Sequence, residues 1–171
     1  ILFTIVVVVV AYQLGELWLR EKEKPVRLVE KPGWQAPSLY LDNVLEGKAR
    51  EEVIYGEEVI AHTSKYLGPK GSVASFSNGM NCQNCHLDAG TRSWGNNYAT
   101  VVSTYPKFRD RSGTLETIPK RVNDCFERSL NGTAIDTAGR EMKAIVAYIK
   151  WVGQDVKKGT KPDEAGIREH T

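Results

Sequence analysis

Cys82-Gln83-Asn84-Cys85-His86 is the stretch from which the rest of the chain is read. A Cys-x-x-Cys-His run has the spacing for covalent c-type haem attachment. Two thiols must reach the two vinyl groups along one porphyrin edge, and the adjacent imidazole then turns under the iron as the proximal ligand. Two other chemistries use Cys-x-x-Cys. A zinc site needs a second ligand pair, and only Cys125 is left of the three cysteines. A thioredoxin-like redox motif needs a strand before it and a helix after it. The expected cofactor is therefore one covalent haem c with its iron, held by Cys82, Cys85 and His86.

On both sides of this run the chain reads as helix. Val53, Gly56, Val59, Ile60 and Thr63 follow helical spacing within residues 50–67, up to the stop signal Gly68-Pro69. A last helix is expected from an Asp136 or Thr137 cap through Met142, Ile145, Val146, Ile149 and Val152, closing at Gly153. Tyr148 and Trp151 give it an aromatic side. The pattern predicts an all-α, class I cytochrome c-like domain in which first and last helices cross, Gly56 letting the aromatic residues approach.

Haem iron needs a second axial ligand. Met80 is tied close to Cys82, and Met142 falls on the apolar face of the last helix, where a core role suits it. His62 on the first helix and His170 in the tail read as surface residues. Cys125 remains, in a segment that Thr117 can cap, Pro119 can start and Gly132 can end. Arg121, Cys125 and Ser129 are spaced i, i+4, i+8 and share one helix face. An inert buried thiol is the competing reading of Cys125.

The rest of the sequence places this domain in a larger frame. Residues 1–12 hold Thr4 as the one clearly polar side chain, and apolar character runs on to Leu19, with Trp18 and Arg20 at the positions of interfacial anchors. Residues 1–20 are expected to form a transmembrane helix; a secretory apolar region is the alternative, but no small-x-small cleavage site follows. Residues 21–40 read as a charged, Pro-containing linker, residues 41–156 as the cytochrome c domain, and residues 157–171 as a tail or the start of a linker to a further domain. The chain has 171 residues, 41% hydrophobic and 26% charged, and 23 Lys and Arg against 21 Asp and Glu leave a net charge of +2. That is too little to suggest nucleic-acid binding. Anchor and covalent haem together put the domain on the periplasmic or extracytoplasmic side of the cytoplasmic membrane. Because the sequence begins with Ile, further residues are expected before it.

Three runs together are more specific than the haem signature. They are Asn78-Gly79-Met80-Asn81-Cys82-Gln83-Asn84-Cys85-His86-Leu87-Asp88-Ala89-Gly90-Thr91, then Tyr105-Pro106-Lys107-Phe108-Arg109-Asp110-Arg111, then Arg121-Val122-Asn123-Asp124-Cys125-Phe126-Glu127-Arg128-Ser129-Leu130-Asn131-Gly132. Over roughly residues 53–159 the chain resembles the first haem domain of thiosulfate dehydrogenases, periplasmic cytochromes that couple two thiosulfates into tetrathionate. The resemblance implies His86 and Cys125 as axial ligands, with Arg111, Arg121 and Ser129 lining a substrate pocket.

The residue types suit a dianionic substrate. A cation at about 4 Å from an anion contributes on the order of 4 kcal/mol at an effective dielectric near 20, and arginine offers paired donors to sulfonate oxygens. Neutralising a haem propionate is the other reading of Arg111 and of Arg121. The resemblance also implies a second haem domain, whereas this sequence has a single Cys-x-x-Cys-His. Tetrathionate formation releases two electrons and one iron stores one, so a redox partner protein or second haem domain is expected. Two functions stand: a membrane-tethered thiosulfate dehydrogenase or its catalytic part, and a non-catalytic electron-transfer subunit of a membrane complex.

Overall fold

The computed structural model describes residues 33–39 and 45–167. The expected anchor at residues 1–20, most of the linker and the last four residues lie outside them. Among the described residues no helix is long and apolar enough to cross a membrane.

Helix α1, Gly47–Ala61, is followed by α2, Thr63–Leu67. The sequence reads these as one helix over residues 50–67, but the chain breaks at His62, whose φ/ψ is −126°/43°. Thr63 accounts for the break. Its hydroxyl lies 2.9 Å from the Val59 carbonyl, 3.2 Å from that of Ile60 and 3.2 Å from Cys82 Sγ, and it accepts the Cys82 N–H at 3.0 Å. A threonine bonding to backbone one turn earlier bends a helix, and here the bend holds the cysteine loop against α1.

A single 3-10 turn, Cys82–Asn84, leads through His86 to the short turn α3, Leu87–Gly90, and then to α4, Val101–Thr104. Helix α5 is Ile118–Arg128 and helix α6 is Arg140–Val152. Helix α6 packs most extensively on α1. The contact centres on Gly56: a Cβ there would lie 2.1 Å from the Ala144 carbonyl oxygen and 2.7 Å from Tyr148 Cβ. Val53, Val59, Ile60, Met142, Ile145, Tyr148 and Val152 fill the core between and around these helices.

The all-α expectation needs one correction. Strands β1, Lys107–Arg109, and β2, Thr114–Glu116, form an antiparallel hairpin, with Phe108 opposite Leu115. Three-residue strands are too short to leave a period in the sequence. Two boundaries also differ. Helix α5 ends at Arg128, because the left-handed residue is Asn131 (φ 45°), while Gly132 packs so that a Cβ would sit 1.8 Å from the Phe76 carbonyl. Helix α6 starts after Gly139; Asp136 instead makes a turn before it, accepting Ala138 N–H at 2.9 Å. The domain also reaches beyond residues 41–156. Leu39, assigned to the linker, is 5% exposed in the core, with Trp34 and Ala36 packed against it.

Candidate functional site

An open cavity with an empty space of about 1230 Å³, mouth included, lies between the cysteine loop and α5. The cysteine loop contributes Cys82, Cys85 and His86 to its lining, α5 contributes Arg121, Cys125 and Ser129, and Ile60, Val101, Ile145 and Ile149 make the interior apolar. All three cysteines are free.

The histidine is fixed by the backbone. His86 Nδ1 lies 2.6 Å from the Asn96 carbonyl oxygen. The carbonyl can only accept, so Nδ1 carries the proton and Nε2 presents its lone pair, as an iron ligand must. Burial holds the imidazole below its usual pKa, against the Asn96 bond that raises it, and Arg121 adds to the lowering. The neutral, ligating form is thus favoured. The ring also lies 4.6 Å from the Tyr98 ring, centroid to centroid. Burial pushes the Cys82 thiol up to about 11, the Thr63 hydroxyl opposing it.

The second part of the lining follows from α5. Thr117 caps this helix, its hydroxyl 3.4 Å from Lys120 N, with Pro119 in the first turn. Phe126 (1% exposed) packs in the core and also borders the cavity, beside the Arg121, Cys125 and Ser129 row that lines it. Burial raises the Cys125 thiol; Arg121 pulls it down, Asp124 and Cys85 push it up, and Arg109 pulls it down again. A cation bound in the cavity would favour the thiolate. A thiol and an imidazole in one cavity, a free cysteine pair and an apolar lining form a donor set that fits haem c.

The structure brings together six of the seven sequence candidates: Cys82, Cys85, His86, Arg121, Cys125 and Ser129. Arg111 is not among the lining residues; it is exposed in the turn joining β1 to β2. The hairpin directs its chain so that Lys107, at its start, lines the cavity instead, with Tyr105 just before it. Both belong to the Tyr105–Arg111 run, where nothing in the residue pattern marks them as cavity residues. Met142 is 1% exposed in the core and absent from the lining, whereas Met80 reaches the cavity. Asn96 holds His86 through its backbone carbonyl, a contact that leaves no side-chain signature in the sequence.

The SoxA/TsdA cytochrome c domain family matches residues 72–157. The chain belongs to this family. It is similar to the thiosulfate dehydrogenase of Psychrobacter arcticus, 38% identical over 112 residues, which covers 66% of this chain and 33% of that protein. To the thiosulfate dehydrogenase of Allochromatium vinosum it is 30% identical over 126 residues, 71% of this chain and 45% of that one. The solved thiosulfate dehydrogenase TsdBA from Marichromatium purpuratum, in its as-isolated form, superposes with a TM-score of 0.66 at 26% identity, covering 79% of this chain and 28% of that chain. The chain thus spans a third to under half of the length of these curated relatives. Family and fold agree: the described domain is a class I-like c-type cytochrome domain, and its cofactor is haem c.

Proposed function

We propose that this domain holds one haem c through Cys82 and Cys85, with His86 and Cys125 as axial ligands, and serves thiosulfate oxidation on the extracytoplasmic side of the cytoplasmic membrane. The observation that supports the reading is the shared face of α5, whose Arg121, Cys125 and Ser129 line the same cavity as His86. The relatives' activity supports the substrate class.

When bound, haem c supplies an iron that accepts one electron at a time. The chain's own residues do the rest. Arg121 and Lys107 offer donors and positive charge to a sulfonate, and Ser129 adds a hydroxyl one turn beyond Cys125. Arg111 stays outside this contact set. Joining two thiosulfate anions by one S–S bond releases two electrons, so a redox partner protein or second haem domain receives what a single centre cannot store. The second reading, a non-catalytic carrier, draws on the single attachment motif.

The test is the purified holoprotein with thiosulfate and ferricyanide as acceptor. Thiosulfate consumption with tetrathionate formation, lost in Cys125→Met, supports catalysis. Reversible one-electron reduction without thiosulfate turnover supports the carrier.

A further inference from the structure

Residues 162–167, within the stretch read from sequence as a tail or the start of a linker, are docked on the domain. Glu164 O accepts from Trp94 N at 2.9 Å and from Asn97 Nδ2 at 2.8 Å, and Gly166 O accepts from Asn96 N at 2.8 Å. Gly95 and Ile167 form an antiparallel bridge. Ala165, 5% exposed, seats the segment on the domain. All these bonds converge on the loop that ends at the proximal imidazole. Asn96 donates Nδ2 to Cys85 O at 3.2 Å, and its carbonyl holds His86 Nδ1. Trp94 and Asn96 have φ of 60° and 55°, a left-handed conformation that costs free energy in a non-glycine residue and persists only where surrounding bonds enforce it. The tail supplies one such bond to each of them.

We propose that residues 162–167 are a positioning strap for His86, clamping the Trp94–Asn97 loop so that the Asn96 carbonyl keeps its bond to Nδ1. This rests on the reading of His86 as proximal ligand. That hydrogen bond raises the basicity of the imidazole and stabilises the ferric iron. The strap would therefore tune the proximal imidazole from outside the cavity lining.

The test uses the full-length holoprotein and three substitutions. Gly166→Ala strains the strap alone: its φ is 110° and a Cβ would meet nothing nearer than Lys161 Nζ at 4.0 Å. Asn97→Asp removes the donor to Glu164 O, and with it the bond to Arg92 O at 3.1 Å inside the loop, yet keeps the oxygen that accepts Ala99 N; Gly166→Ala is the variant that touches the strap without the loop. Gly159→Ala is the control, since it imposes similar strain (φ 78°) on the tail outside the clamp. The readouts are deuterium exchange of the hyperfine-shifted His86 Nδ1 proton in the ferric protein, and the midpoint potential. Gly166→Ala and Asn97→Asp should each speed exchange at least tenfold and raise the potential, while Gly159→Ala changes neither. Exchange unchanged in both, or equally fast in the control, overturns the strap. Absence of a hyperfine shift at His86 in the unsubstituted protein overturns the ligand reading itself.

Discussion

The carboxylate of Glu116 lies 3.3 Å from Arg109 Nε across the β1–β2 hairpin, with a side chain only 2% exposed. Lys120 Nζ approaches the same carboxylate at 3.4 Å and Asp124 at 3.4 Å, so a chain of alternating charges ties the hairpin to the first two turns of α5. Cys125 follows Asp124 directly. The geometry of the proposed distal ligand is thus linked to the hairpin through one buried acid.

Glu116 is held below the usual carboxylate range, first by the Ser112 hydroxyl and then by Lys120 and Arg109, against its desolvation. A depressed folded value means that its stabilising contribution is complete above the ordinary pKa of 4.5 and fades as pH falls through the lower folded value. Glu116→Gln should therefore lower Tm at pH 7 and narrow its gap to the unsubstituted protein in acid, by thermal melts from pH 7 to pH 3. A gap that is constant over that range would remove the charge from this explanation.

At the helix pair, Gly56→Ala tests close approach. In an exposed helix, alanine would gain about 1 kcal/mol over glycine. Here the added Cβ meets the Ala144 carbonyl at 2.1 Å, and overpacking of that kind costs roughly 1–3 kcal/mol. Chemical denaturation should show net destabilisation; a more stable variant would mean that α1 and α6 separate freely.

For the cavity, Cys125→Met should retain covalent haem, because Cys82, Cys85 and His86 are untouched. It should also raise the midpoint potential, since a neutral thioether replaces a charged sulfur. An unchanged visible and EPR spectrum would show that Cys125 does not ligate. Arg121→Ala should keep the ligand spectrum and, if thiosulfate is turned over, raise its KM about tenfold or more, the loss of one charge-assisted hydrogen bond of roughly 1.5–3 kcal/mol.

Tyr55 donates to Glu141 Oε1 at 2.9 Å beneath the Arg140 guanidinium, 4.1 Å from the ring centroid. Burial, then the bond to Glu141, pushes the phenol from 10.0 up to about 12. A raised folded pKa contributes stability that is full below about 10 and lost as pH rises through about 12. Tyr55→Phe should accordingly lose Tm at neutral pH and lose less relative to the parent above pH 12, as followed by melts and by phenolate absorbance.

The sequence by itself determined the cofactor, the helical class and which residues of α5 and the cysteine loop meet in the candidate cavity, because these rest on local rules. Cys82, Cys85 and His86 are adjacent in the chain. Arg121, Cys125 and Ser129 share a face through helical period alone, and Gly56 is spaced to meet the last helix. Tertiary structure decided what depends on contacts between distant segments. It turned residues 107–116 into a hairpin that brings Lys107 to the cavity and leaves Arg111 in the turn. It broke the first helix where Thr63 reaches Cys82, nineteen residues on, and folded the tail onto the loop behind His86. Such placements are enforced by backbone carbonyls and buried polar groups whose partners lie far along the chain, and neither leaves a periodicity or composition that a linear reading can detect.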